Sequence, residues 1–210
     1  GFEVDAEVMD DDSLTYGADD YSVWNYDQNS LYDTLPMYQA LAESKNTSAV
    51  WLLDKLGIQK GIAKFEDCGI SIGEADENLG AIALGGMSTG VSPVQLASAY
   101  TTFVNEGVRT QARFITKIVD ATGAVIVDNT KPKTNRVTTA AVAEEMTSML
   151  MGVYADGGTG ASAQPSNGMV IAGKTGTTEL DREAGYIKSQ WMVGYTPDLV
   201  VATWLGYDKT

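Results

Sequence analysis

Apolar residues along this chain recur first at helical spacing and only near the end at strand spacing. Leu35, Met37, Ala40 and Leu41 make a short stripe around Pro36, so a helix is expected to open at Pro36 and run towards Glu43 and Ser44. A second stripe, Val50, Leu53 and Leu56, predicts a helix capped by Asn46 or Thr47 and ended by Gly57. The triplet Ser44-Lys45-Asn46 therefore falls at a break between two helices. Residues 58–68 form another amphipathic segment, and residues 69–91, with their glycines, read as loop with tight turns. Ser92-Pro93 then opens a helix with Leu96, Ala99, Tyr100 and Phe103 on one face and Gly107 at its end. Residues 113–119 and 124–128 predict a hairpin turning at Thr122-Gly123. Thr138-Thr139 starts a helix whose buried stripe is Val142, Met146, Met149, Leu150 and Val153. Three strands are expected at 168–174, 189–195 and 199–206, the last apolar throughout, as in a strand covered on both faces.

Helices in the middle and an antiparallel run at the end make an α+β layout, an antiparallel sheet with flanking helices and a mostly helical subdomain. The chain divides into a leading region 1–35, a mostly helical part 36–160 with one hairpin, and strands over 161–210, all within one domain. The leading region is distinctive. Residues 1–44 carry no Lys or Arg and hold eleven of the 28 acidic residues, including Asp10-Asp11-Asp12. An acidic run is usually a solvated face, but the interleaved Tyr16, Tyr21, Trp24, Tyr26, Tyr32 and Tyr38 point to an ordered segment and not a disordered tail.

Composition narrows the chemistry. A net charge of -14 argues against nucleic acid and anionic membrane surfaces as partners. No run has the length of a transmembrane helix. The chain has no histidine, which removes every Ser-His and Cys-His scheme. Cys68 stands alone, reads as a buried inert thiol, and leaves only carboxylates as further zinc ligands, so no metal and no cofactor is expected. A hydrolase or acyl transferase built from this chain needs Lys or a carboxylate as its base.

The densest polar chemistry lies in Gly173-Lys174-Thr175-Gly176-Thr177-Thr178-Glu179, after the apolar run Met169 to Ala172. One cation, two glycines and three hydroxyls at a strand end suit a carboxylate held beside an extended peptide. A Gly-rich turn with an exposed lysine is the plain alternative for K-T-G taken alone. Two triplets together change that balance: an S-x-N at a helix break, Ser44-Lys45-Asn46, and a later K-T-G, Lys174-Thr175-Gly176.

With their flanks, these triplets resemble the bifunctional, class A penicillin-binding proteins. The similar stretches are Ala40 through Val50, Leu84 through Tyr100, Gly158-Thr159-Gly160-Ala161, Gln190 through Pro197, and Trp204-Leu205-Gly206. Tyr21-Ser22 through Asn25-Tyr26-Asp27 resembles the loop that precedes them in that family. The resemblance covers nearly the whole chain. It departs in one respect: no serine here has a lysine three positions on, so the family's S-x-x-K is missing. The nucleophilic serine is therefore expected upstream of Gly1, and the chain by itself is expected to be inactive. Ser44 as nucleophile with Lys45 as base is a poor alternative, because neighbouring residues on a helix point in different directions.

The resemblance implies a peptidoglycan D,D-transpeptidase acting through a serine acyl-enzyme and acylated by β-lactams. Its partners would be stem peptides, β-lactams and the upstream segment, in a membrane-anchored parent at the extracytoplasmic face of a bacterial cytoplasmic membrane. By position, Ser44 would pass a proton to the leaving nitrogen and Lys174 would polarise that relay. Asn46 would bond the acyl side chain or the missing lysine. Thr175 and Thr177 hydroxyls would hold the substrate carboxylate, with Gly176 and Thr178 in the same binding strand and the Thr177 N–H in the oxyanion hole. A serine β-lactamase, with Glu66, Glu74 or Glu77 activating water, and a non-catalytic β-lactam sensor are the alternatives.

Overall fold

The acidic leading region is ordered by pairing, as its aromatic residues suggest. In the computed structural model, which describes residues 2–181 and 185–207, it contains β1 (Glu7–Asp10), β2 (Thr15–Tyr16), β3 (Tyr21–Ser22) and β4 (Asp33–Pro36). β1 pairs antiparallel with β4, Val8 opposite Leu35, and β2 pairs with β3. Val8 and Leu35 are buried together against Ala40, and Tyr16 and Val23 are buried against Val50. The acidic run is not wholly a solvated face: Asp10 is 0% exposed.

The helical part follows the expected order. α1 (Met37–Ala42), α2 (Asn46–Leu56) and α3 (Ile58–Asp67) are separated by the Ser44-Lys45 break and by Gly57. Gly57 sits at φ +90°, a conformation that glycine alone takes cheaply. Asn46 and Thr47 do not cap α2. Lys45 occupies the N-cap position without a side-chain cap, and Asn46 is the first helical residue. Residues 69–91 are not all loop. They hold α4 (Leu79–Leu84), whose N-cap Asn78 accepts from the Ala81 N–H. Six residues are too few for a periodic stripe to show, so the cap was the sole signal. α4 buries Ile82 against Leu53 and Ile62 of α2 and α3.

α5 (Pro93–Val104) opens with a full capping box between Ser92 and Gln95 and the expected proline in its first turn. It ends at Asn105, ahead of Gly107. β5 (Val108–Thr110), β6 (Lys117–Val119), β7 (Val125–Asp128) and β8 (Thr134–Arg136) form two small antiparallel pairs, β5 with β8 and β6 with β7. The hairpin turns at Thr122-Gly123 as expected, but its first strand covers only Lys117–Val119 of the expected 113–119; β5 and β8 are three residues each, too short to be seen in the pattern. α6 (Ala140–Met151) is capped by Thr139. It buries Ala143, Met149 and Leu150, while Val142, expected in the stripe, is 47% exposed.

The last three strands, β9 (Ala172–Asp181), β10 (Tyr186–Thr196) and β11 (Leu199–Gly206), form an antiparallel sheet in the order β11-β10-β9. Its core side packs on helices. Ala172 and Tyr195 are buried with Leu150, Val153 and Tyr154, and Leu41, Tyr100 and Phe103 pack around them. Tyr154 donates to the Val193 carbonyl at 2.7 Å and Tyr195 donates to Thr147 Oγ1 at 2.9 Å, so both buried hydroxyls are satisfied.

Two strand expectations need correction. The segment expected as 168–174 starts at Ala172, where pairing with Tyr195 begins, and continues through the K-T-G to Asp181. Met169 and Val170 lie outside it and are exposed. The partner strand, not apolarity, sets the extent. β11 is not covered on both faces: exposed and half-buried residues alternate along it, because one face packs towards α5 and the other is open. The overall α+β class holds.

Candidate active site

The site begins with a local conformational oddity. Ser44 has φ +58°, in the left-handed region that few non-glycine residues occupy. The turn is held by its own backbone: the Ser44 N–H donates to Leu41 O at 3.2 Å and the Lys45 N–H to Ala40 O at 2.9 Å. The result ends α1, restarts the chain as α2 and turns Ser44 towards the sheet. Neither Ser44 nor Asn46 is used as a helix cap. The Asn46 side-chain amide donates to the Trp24 carbonyl at 3.0 Å and so ties the leading region to α2.

The other wall is β9. It pairs with β10 on one side, and among the described residues its other edge has no strand partner. Such an edge offers backbone donors and acceptors to an extended peptide. Gly173 is required by the sheet itself: a Cβ there would lie 1.9 Å from the Val193 carbonyl oxygen. At Gly176 a Cβ would meet the Trp191 Cβ at 3.4 Å, an ordinary contact. The close approach that the glycines permit is thus made at Gly173 by the neighbouring strand.

The two walls meet at one hydrogen bond. Lys174 Nζ donates to Ser44 Oγ at 2.6 Å across 130 residues of sequence, and also to the Thr175 carbonyl at 3.1 Å. Burial pushes the Lys174 ammonium down from its usual 10.5 to about 8, because the charged form loses water that the site does not replace. A lysine with this value changes protonation around pH 8, well below an ordinary surface lysine.

A cleft of about 1010 Å³ opens beside this contact, lined among others by Trp24, Asn46, Ser44, Thr175, Thr177 and Glu179. Thr175, Gly176 and Thr177 are part of its lining, whereas Lys174 reaches Ser44 from the strand and Thr178 lies outside the lining. Ser44, Asn46, Lys174, Thr175, Gly176 and Thr177 are therefore gathered at one cleft. Thr159 was not foreseen. Its hydroxyl shares a 2.6 Å hydrogen bond with Thr175 Oγ1, and its N–H donates to Ala42 O at 3.1 Å. It bridges β9 to the end of α1. The clue was the Gly158-Thr159-Gly160 loop: a Cβ at Gly158 would lie 2.3 Å from the Val153 carbonyl oxygen, so glycine is needed to bring Thr159 in.

Two residues expected to take no part stand apart from this contact. Lys45 turns away from Ser44 and is only 5% exposed, bonded to Ser30 and ion-paired with Asp10 and Glu43. Cys68 is half-buried and not the fully buried thiol expected, and its partial burial raises the thiol and so favours the protonated form. Among the described residues no helix is long and apolar enough to cross a membrane.

Comparison with known proteins places this geometry. Residues 2–207 match the family described as Penicillin binding protein transpeptidase domain. Penicillin-binding protein 2a of Streptococcus pneumoniae serotype 2 is 42% identical over 200 residues, covering 95% of this chain and 26% of that protein. Penicillin-binding protein 1F of Bacillus subtilis is 39% identical over 204 residues, 97% of this chain and 27% of that protein. The chain thus spans about a quarter of the length of these relatives. Among solved structures, the penicillin-binding protein PonA1 of Mycobacterium tuberculosis superposes with a TM-score of 0.79 at 26% identity, over 99% of this chain and 56% of that one.

Proposed function

The chain belongs to the transpeptidase-domain family of penicillin-binding proteins, and we propose that it is the substrate-positioning part of a peptidoglycan D,D-transpeptidase whose nucleophilic serine lies on an upstream segment of the parent protein. The observation that carries this reading is the 2.6 Å contact of Lys174 with Ser44, beside an edge of β9 that has no strand partner among the described residues and could take an extended peptide.

In this reading the upstream serine attacks the carbonyl carbon of the D-Ala-D-Ala bond of a stem peptide, its hydroxyl proton passing to the lysine base of its own S-x-x-K segment and from there to Ser44 as that residue gives its proton on. Negative charge develops on the carbonyl oxygen, beside the Thr177 N–H on β9. The C–N bond then breaks. Ser44 Oγ delivers a proton to the departing nitrogen of D-alanine, and Lys174, itself protonated, donates to Ser44 and keeps that hydroxyl polarised. An amine of a neighbouring stem peptide then attacks the ester, forming the cross-link and releasing the serine. The terminal carboxylate of the donor sits at Thr175 and Thr177, and Thr159 holds the Thr175 hydroxyl in place. A β-lactam enters the same cleft and acylates the same serine. Support for β-lactam recognition comes from PonA1, which has been solved in complex with penicillin V. The enzyme would work at the extracytoplasmic face of the membrane, with the parent protein supplying the anchor.

Acylation of the parent protein by a fluorescent penicillin tests the reading. Ser44→Ala and Lys174→Ala should each slow it about 100-fold or more. Unchanged rates in both variants would remove these residues from the reaction.

A further inference from the structure

The fully buried Asp10 and the nearly buried Lys45 lie next to the cleft but take no part in the chemistry described above. Asp10 Oδ1 accepts from Asn25 Nδ2 and from Thr47 Oγ1, each at 2.5 Å, and Oδ2 accepts from the Tyr32 N–H at 3.2 Å. Lys45 Nζ donates to the Ser30 carbonyl and to Ser30 Oγ at 2.8 Å. It lies 3.7 Å from Asp10 Oδ2 and 3.4 Å from Glu43 Oε2, and 4.7 Å from the centre of the Tyr32 ring. One ammonium thus joins four pieces of chain: β1, the 25–32 loop, the end of α1 and the start of α2.

Such a group is costly to bury and is held only when its partners are complete. What it holds here is specific. Lys45 follows the left-handed Ser44 and precedes Asn46, so anchoring its side chain sets the direction in which the turn presents both neighbours. The same anchor fixes Ser30, Tyr32 and Glu43, which line the cleft.

We propose that Lys45, through its buried contact with Asp10, is a positioning residue that holds the Ser44 hydroxyl on Lys174. This rests on the reading of the cleft as an acyl-transfer site. The contact is absent from the strand that holds the substrate carboxylate, so its loss acts on the acylation step more than on substrate binding. Thr175 and Thr177 stand on β9, and β9 is held by β10 and α6. A displacement of the relay hydroxyl of about 1 Å is enough to cost roughly 100-fold in rate.

The test uses the full parent protein and stopped-flow acylation by a fluorescent penicillin, which separates the binding constant from the acylation rate constant. Lys45→Met alone leaves the Asp10 carboxylate buried without its cation, so the pair Asp10→Asn with Lys45→Met, which removes both charges, is measured beside it. The expected result for the folded pair is an acylation rate constant lowered roughly 10- to 100-fold with a binding constant within about two-fold of wild type. A folded pair that acylates at the wild-type rate overturns the proposal, and so does a loss confined to binding. Failure of the pair to fold also overturns it, since Lys45 would then serve the core and not the cleft. Absence of acylation in the wild-type parent is a different outcome: it removes the acyl-transfer reading itself.

Discussion

At the cleft, polar groups are buried and held by distant segments; in the β6–β7 hairpin, apolar side chains stand in water on a local scaffold. Lys174, Lys45 and Asp10 are each drawn out of water and matched by partners on other elements. In the hairpin, Val119, Val125 and Ile126 are all more than half exposed, and Lys117 pairs with Asp128 across two short strands. The hairpin needs only alternation, a turn and a neighbouring strand, and it turns where the pattern says, although its first strand is shorter than expected. The cleft needs a left-handed serine, a glycine against a carbonyl and an ammonium led to a hydroxyl 130 residues away. Disturbance should therefore spread from the cleft and stay local in the hairpin.

Gly173 gives the largest break in that comparison. A methyl group 1.9 Å from the Val193 carbonyl forces β9 off β10, and Gly173→Ala should cost roughly 3 kcal/mol by chemical denaturation of the parent protein. Acylation should be lost with it. Gly176→Ala, where the added methyl meets only the Trp191 Cβ at 3.4 Å, should cost about 1 kcal/mol or less. Equal effects at the two glycines would mean that β9 is not held by its backbone approach to β10.

A smaller effect tests whether the cleft is as dry as Lys174 indicates. Its pKa is about 8 in the fold and 10.5 when unfolded, so between these values the unfolded chain binds more protons. Stability should rise with pH across that window, and below about 8 the burial cost of the ammonium is complete. That cost is roughly 3 kcal/mol at most, and the lost bond to Ser44 offsets about 1 kcal/mol of it. Lys174→Met should therefore stabilise the folded state near pH 7, with a gain that shrinks as pH approaches 10.5. A difference that does not change with pH would make the site wet. Acylation should fall in the opposite sense, as Lys174 loses its proton above about 8.

The smallest effect belongs to the hairpin. Ile126→Thr should change the stability of the parent protein by less than about 0.5 kcal/mol, measured by thermal melting. A loss beyond about 1 kcal/mol would show that another part of the parent covers this side chain, since an exposed residue has little packing to lose.

The same contrast explains what could be read from the residues. Ser92-Pro93, Thr139 and Gly57 announced their elements because caps and breaks act within one turn of chain. The two triplets announced a site through their type and order. The bounds of β9 are not legible locally, because Met169 and Val170 have strand-forming side chains but no partner strand among the described residues. From its neighbours Asp10 reads as part of a solvated face, since nothing within three residues shows that Asn25 and Thr47 close over it. Thr159 gives no local sign of its role because its partner, Thr175, is 16 residues away on another element.

Local chemistry alone determined the α+β layout, most of the helices and the exclusion of histidine catalysis, each from side-chain type and short spacing. The expected residues of the cleft came instead from the resemblance of two triplets and their flanks to a known family. Tertiary structure decided that the K-T-G lies within an edge strand, that Ser44 bonds Lys174, and that Lys45 is an anchor and not a base. These depend on which groups lose water together, and that is settled by the packing of elements far apart in the chain.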